Sequence, residues 1–216
     1  MVELFLRALP MLEKAVLITI GLGLSAYILG CLLGLLVALA RISSFRLLRW
    51  FAFCYVSVFR GTPLLIQLLL IYYGLPTYGI VMGPMASALL ALTLFAAAYL
   101  SENFRSGISG VDKGQWEAAW SMGMGYWRTL LRIVLPQAIR IALPPMGSRM
   151  IGLMKDTSLA STVTVVEMTR VAEQIGAATF RYLEMFVLVG AIYWIINQVL
   201  TVVQTLLEDR LSRHFK

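Results

Sequence analysis

The chain has 216 residues, 60% hydrophobic and only 13% charged, whereas soluble domains carry charge on about a quarter of their residues. A soluble single-core protein is therefore excluded, and a mean hydropathy of +0.82 gathered into long uncharged runs marks an integral membrane protein. The 18 Lys and Arg exceed the 11 Asp and Glu, but no basic run interleaved with aromatics stands apart from the apolar segments, so the excess reads as juxtamembrane charge and not as a nucleic-acid footprint.

Between Lys14 and Arg41 lie 26 uncharged residues, about 39 Å of helix and more than the hydrocarbon thickness. This is the first span, too long for the core of a removable signal peptide. Its Gly30-Cys31-Leu32-Leu33-Gly34 is a GxxxG that allows a close helix partner without naming it. From Gly61 to Ser101 another 41 residues carry no charge. Gly74, Pro76, Gly79, Gly83 and Pro84 divide them into a second span, about 62–74 with a backward extension over 50–59, and a third, about 85–101. A fourth apolar stretch runs from near Pro145 past Lys155-Asp156 to about Val166. The fifth, Met185–Leu207, has 23 uncharged residues. Cys31 and Cys54 lie in apolar stretches and form neither metal spacing nor a disulfide framework.

Basic residues in the connections set the orientation. Arg41, Arg46, Arg49 and Arg60 follow span one; Arg105, Lys113, Arg128, Arg132 and Arg140 follow span three; Arg210, Arg213 and Lys216 follow span five. Placing these on the cytosolic side puts 12 there against 5 opposite, namely Arg7, Lys14, Lys155, Arg170 and Arg181, with Arg149 left inside the fourth segment. The expected topology is five spans, N-terminus outside and C-terminus in the cytosol. His214, in the tail, is assigned no role.

Residues 102–140 form the longest polar interruption. Asp112, with Gln115 three residues on, resembles a capping box opening a helix that runs through Met122. Gly123 and Gly125 then break it, and Trp127, Leu130, Leu131 and Val134 stripe a second short helix expected to stop at Pro136. Periodicity alone would make this an interfacial amphipathic hairpin packed on its own bundle.

The letters carry more. Glu117-Ala118-Ala119, three residues, Gly123, nine residues, then Ile133-x-Leu135-Pro136 resembles the complete EAA loop of the permease subunits of bacterial ABC importers: seven positions in register over twenty residues. Phe59-Arg60-Gly61-Thr62-Pro63-Leu64-Leu65, Gly114-Gln115-Trp116-Glu117-Ala118-Ala119, Leu135-Pro136-Gln137-Ala138 and Lys155-Asp156-Thr157-Ser158-Leu159 are similar to signatures of the polar amino-acid branch, the histidine, glutamine, arginine and cystine type. The stretches at 71–76 and 142–145 resemble cystine permeases in particular.

The resemblance implies an all-α polytopic membrane protein with five transmembrane helices, built like a type I ABC importer permease. It makes 1–216 one transmembrane permease domain, with 104–140 as its cytoplasmic coupling loop. Glu117, Ala118, Ala119 and Gly123 would dock on an ATPase. Small alanines admit a close neighbour, Glu117 supplies a charge, and Gly123 permits a sharp turn. The implied partners are a second permease subunit, identical or homologous, two cytosolic ABC ATPases and an extracytoplasmic solute-binding protein, in a bacterial inner membrane. No phosphate-binding loop of the GxxxxGK[ST] type occurs in the sequence, so ATP and Mg are expected in the partner and no cofactor or metal in this chain. No catalytic triad or metal-ligand spacing is legible, and the chain is expected to be non-catalytic.

Charge at membrane depth defaults to function. Lys155 and Asp156 sit about 100° apart on a helix and suit a zwitterion, ammonium to carboxylate and carboxylate to ammonium; the alternative is that the pair marks the outer mouth of the fourth span or is satisfied by neighbouring backbone. Thr157, Ser158 and Ser161 add hydroxyls beside them. Glu102 ends span three, as a gate or pocket residue or as a surface partner of Arg105 at i+3. Gln67, in mid-span, should face the bundle or the pathway, since an unpaired amide in lipid is costly. The alternative of another class is a stand-alone secondary transporter or channel for a small polar solute, which would need inverted repeats that this chain does not display.

Overall fold

The computed structural model describes residues 2–213, with side chains described for 9–210. His214 and Lys216, together with the side chains of Arg7 and Arg213, lie outside that range. Every regular element among the described residues is helical: α1 Val2–Ile42, α2 Arg46–Gly61, α3 Leu64–Leu69, α4 Pro84–Ser109, α5 Lys113–Ser121, α6 Tyr126–Thr129, α7 Leu135–Asp156, α8 Met168–Thr179 and α9 Tyr182–Arg213.

Three helices are long and apolar enough to cross a membrane, over Leu9–Ile42, Pro84–Ser109 and Tyr182–Arg210, and the broken pair Arg46–Gly61 and Leu64–Tyr78 makes a fourth if counted as one span. The expected fourth span divides between the end of α7 and a 3-10 segment, Thr157–Val163. Its helix carries Arg140, Arg149, Lys155 and Asp156, so composition does not class it with the other spans.

The fold is organised around α4, whose apolar window is 61% buried, against 6% for the window of α9. Ala88, Ala91, Leu92, Phe95, Ala96 and Leu100 line the principal core with Leu22, Ala26, Leu64, Leu68, Leu153 and Val163 from surrounding elements. Small residues allow the close approach: a Cβ on Gly30 would fall 2.8 Å from the Ala96 Cβ, and one on Gly34 would fall 2.9 Å from the Ala97 carbonyl oxygen. The partner of the GxxxG is therefore α4. Gly107 does the same toward α7, where a Cβ would meet the Ala138 carbonyl oxygen at 2.7 Å. A second cluster joins Leu12 and Ala15 of α1 to Met168, Val171, Ala172, Met185 and Val189 of α8 and α9.

The break between α2 and α3 bends the chain by 108°. Thr62 ends α2 in extended backbone ahead of Pro63, which disfavours continued helix. Gln67 holds this corner: its Nε2 donates to the Phe59 carbonyl (2.9 Å), the Thr62 carbonyl (3.1 Å) and Thr62 Oγ1 (2.9 Å). The amide nitrogen thus serves the bend, while Oε1 is buried without a hydrogen-bond partner among the described residues. Beyond α3 a π turn, Leu70–Gly74, and a 3-10 turn, Leu75–Tyr78, end at Gly79 with φ +80°, where the loop before α4 begins.

Candidate functional site: a capped hairpin and a charged helix face

Two regions collect the residues with chemical potential. The first is the hairpin of α5 and α6. Asp112 caps α5, its Oδ1 accepting from Gly114 N at 2.7 Å. The reciprocal half of the expected box is absent: the Gln115 side chain instead accepts from Gln137 Nε2 at 3.2 Å. At the other end, Gly123 N donates to the Trp120 carbonyl (2.9 Å) and Met124 N to the Ala119 carbonyl (3.0 Å), with Gly123 at φ +77°. This is a Schellman termination, which a glycine in the left-handed region accommodates without Cβ strain.

The helix that follows does not stop at Pro136, contrary to the sequence expectation. A π turn over Leu130–Val134 carries α6 directly into α7, with Pro136 in the first turn of α7. The wider turn shifts the predicted stripe: Val134 is buried and Leu130 half-buried, while Trp127 and Leu131 are exposed. Val134, with Val111 and Ala138, forms the small apolar foot that ties the hairpin to the ends of α4 and α7. Ala119 is buried in this chain, whereas Glu117, Ala118 and Gly123 are exposed. Of the two alanines, only Ala118 is therefore open to another protein. Lys113, Trp116, Glu117, Trp120 and Tyr126 line a surface groove of about 370 Å³. Trp116 stacks on Tyr126 with ring centres 5.6 Å apart, giving the groove a rigid aromatic wall.

The second region runs along the facing sides of α4 and α7. Glu102 is the hub of one half. It pairs with Arg41 of α1 and with Arg105, whose Nε donates to Oε1 at 2.9 Å, and Arg60 of α2 lies at 3.8 Å. The expected i+3 pair with Arg105 is present, but Glu102 also ties together three helices. Asp156 pairs with Arg149, two turns back on α7. The Arg149 guanidinium lies over Phe95 (4.8 Å) and Tyr99 (4.9 Å), and Arg60 lies over Tyr99 at 5.2 Å. Arg149 was the one basic residue that sequence reasoning assigned to neither side. Its occurrence as a lone arginine within an apolar segment was the available signal.

Lys155 and Asp156 diverge as their spacing predicted. Lys155 is exposed and, with Ser158, Thr169 and Tyr193, borders a separate open pocket of about 290 Å³. The hydroxyls divide. Ser158 donates to the Lys155 carbonyl at 2.8 Å beside the pocket, whereas Thr157 and Ser161 are buried, Thr157 donating to the Met154 carbonyl at 2.7 Å. Behind the pocket stands Glu167, fully buried, which sequence reasoning missed because its neighbours are distant in sequence. It caps α8 through Arg170 N (2.8 Å) and accepts from Tyr193 Oη (2.8 Å). Burial pushes its carboxyl above the ordinary range, and the hydrogen bonds it accepts oppose that shift. Among the described residues no group of three or more His, Cys, Asp or Glu side chains could hold a metal.

Known proteins are similar to this chain in sequence and, where solved, in fold. The L-cystine transport system permease protein TcyB of Bacillus subtilis is 44% identical over 206 residues, covering 95% of this chain and 88% of that protein. The arginine transport system permease protein ArtQ of the same organism is 37% identical, covering 94% of each chain. A chain from the crystal structure of an amino acid ABC transporter with histidines superposes with a TM-score of 0.92 at 35% identity, covering 95% of this chain and 96% of that one. The family described as binding-protein-dependent transport system inner membrane component matches residues 30–213, and the chain belongs to it.

Proposed function

We propose that this chain is the permease subunit of an ATP-driven importer for a polar amino acid, with cystine the foremost candidate. The observation that carries the reading is the EAA sequence standing as an exposed, Schellman-capped hairpin that presents Glu117 beside an aromatic groove. Residues 1–216 act as one transmembrane domain and 104–140 as its coupling loop. Five spans place the N-terminus outside and the C-terminus in the cytosol.

Glu117, Ala118 and Gly123 meet a cytosolic ABC ATPase, with Ala119 seating the helix from behind. That partner binds ATP and Mg. Two permease subunits, two ATPases and an extracytoplasmic binding protein complete the assembly, and the poorly buried apolar length of α9 is available to lipid or to a second permease. Substrate passes along the charged face. Glu102, Lys155, Asp156 and Ser158 meet it or its water, while Gln67, Thr157 and Ser161 hold the surrounding backbone. Closure of the ATPases moves the two hairpins together and shifts the spans between inward-open and outward-open states, a population shift driven by differential binding.

The test is reconstitution of the permease with its ATPase and binding protein in vesicles, followed by uptake against a panel of amino acids. Uptake that requires ATP and is competed by cystine, arginine, glutamine or histidine is expected. Uptake by the permease alone, indifferent to ATP, would instead establish the stand-alone transporter.

A further inference from the structure

The start of α2 carries charge without counter-charge. Between Glu13 and Glu102 the sequence holds no acidic residue. Arg46 and Arg49 stand exposed in the first turn of α2, and neither pairs with a carboxylate among the described residues. Arg41 and Arg60, the basic residues on either side, both reach Glu102. Two guanidinium groups of this stretch are therefore left for an anion from outside the chain.

Their surroundings are open on every side. Residues 44–51 are all exposed, and the six from Arg46 to Phe51 go more than once round the helix. Arg46, Arg49, Trp50 and Phe53 fall at i, i+3, i+4 and i+7 and share one face. Leu47 and Phe51 share another, and the rings of Trp50 and Phe51 meet edge to face at 5.1 Å. Deeper along the helix Ala52 and Val56 are buried, and Tyr55 Oη donates to the Leu94 carbonyl of α4 at 2.6 Å. Arginines come first, then tryptophan, then Phe51 and Phe53, then contact with a membrane-spanning helix. This is the order in which a segment enters a bilayer through its headgroup layer. A protein partner covers one stripe of a helix, whereas apolar side chains exposed round the whole circumference fit lipid, with arginine stems lying along the apolar surface and their heads in the polar layer.

We infer that the start of α2 is a docking surface for an acidic phospholipid, whose headgroup phosphate takes Arg46 and Arg49 while its acyl chains lie against Trp50 and Phe53. Guanidinium groups match phosphate oxygens in paired, charge-assisted hydrogen bonds. Charge decides for an acidic lipid over a zwitterionic one. A phosphatidylcholine headgroup brings an ammonium with its phosphate and supplies no net charge to the two arginines, whereas phosphatidylglycerol supplies a net negative charge. This goes beyond the import reading and does not depend on which solute is carried.

Trp50 supplies the probe. The permease is reconstituted with its ATPase in phosphatidylcholine vesicles containing increasing fractions of brominated phosphatidylglycerol or, in parallel, of brominated phosphatidylcholine, whose acyl-chain bromines quench a tryptophan they touch. Subtracting the signal of the W50F protein isolates Trp50 from the other tryptophans. The parent is expected to reach half-quenching at a fraction of the acidic lipid about fivefold or more below that of the zwitterionic lipid, the effect of one arginine at an anionic surface. The preference should shrink as salt is raised. In R46Q/R49Q it should collapse to near one, with quenching by brominated phosphatidylcholine unchanged.

A parent without preference, or a preference that survives in R46Q/R49Q, would overturn the inference. So would a Trp50 that neither lipid quenches, which would put a protein on this face. Should the double variant fail to insert, a parental preference that persists undiminished at high salt would overturn it as well. ATP-driven amino-acid uptake stands or falls separately from each of these outcomes.

Discussion

The hairpin of α5 and α6 and the charged face of α4 and α7 carry different chemistry and are built in opposite ways. The hairpin draws Glu117, Ala118, Ala119 and Gly123 from one short run of chain. Local devices hold it: the Asp112 cap, the Schellman turn at Gly123 and the small apolar foot around Val134. The charged face brings Arg41, Arg60, Tyr99 and Glu102 together with Arg149 and Asp156 from four helices. Its geometry depends on how closely α1, α4 and α7 approach, which Gly30, Gly34 and Gly107 set. A contiguous device fails when its own turn is altered. An assembled device fails when a helix is pushed away, even from a distance.

That contrast can be broken or sharpened by substitution. The largest effect is expected at Gly123, where φ is +77°. Gly123→Val imposes about 1–2 kcal/mol of left-handed strain on the turn. ATP-driven vesicle uptake should fall more than tenfold, while amino-acid binding to the solubilised permease is preserved. Loss of both together would mean that the two regions are not separable.

Asp156→Ala is the counterpart on the assembled face. It leaves Arg149 without its carboxylate, and uptake should fall about tenfold while the ATPase co-purifies at the parental yield. Unchanged uptake would remove Asp156 from the pathway.

Gly34→Leu tests the claim that helix approach governs the charged face. Its new side chain meets the Ala97 carbonyl oxygen, at 2.9 Å from the Cβ alone. Overpacking of this kind costs about 1–3 kcal/mol, to be read as a lower thermal unfolding temperature, with substrate affinity lost before ATPase docking. The smallest effect belongs to Tyr193→Phe, which removes the phenol bonded to Glu167 and should lower stability by about 1 kcal/mol in the same thermal assay. A tyrosine variant as stable as the parent would show that the Glu167 cap suffices alone.

Legibility in the sequence follows the same division. Membrane class, the long helices α1, α4 and α9 and the hairpin were readable because each signal is local: an uncharged run, a cap residue, a motif in register. The GxxxG announced a close helix contact, but its partner, α4, became visible only when Ala96 and Ala97 were seen opposite it. Pro136 reads in sequence as a stop, yet the π turn before it carries the helix on so that Pro136 falls in the first turn of α7, where its missing N–H is harmless. Gln67, expected to face the bundle or the pathway, is buried, and its three donor contacts serve the 108° corner between α2 and α3. Arg149 and Glu167 escaped assignment because what defines them lies far off in sequence or on other elements: Phe95 and Tyr99 for the arginine, Tyr193 for the glutamate.

The central claim is that the exposed hairpin transmits ATP-driven motion to this permease, and the Glu117→Lys variant addresses it most directly. Uptake and ATPase activity are measured in the same reconstituted vesicles, with membrane insertion verified. The account predicts normal insertion, a fall in uptake of about tenfold or more, and ATPase activity that no longer responds to loaded binding protein. Uptake and stimulated ATPase activity at the parental level in the Glu117→Lys protein would contradict it.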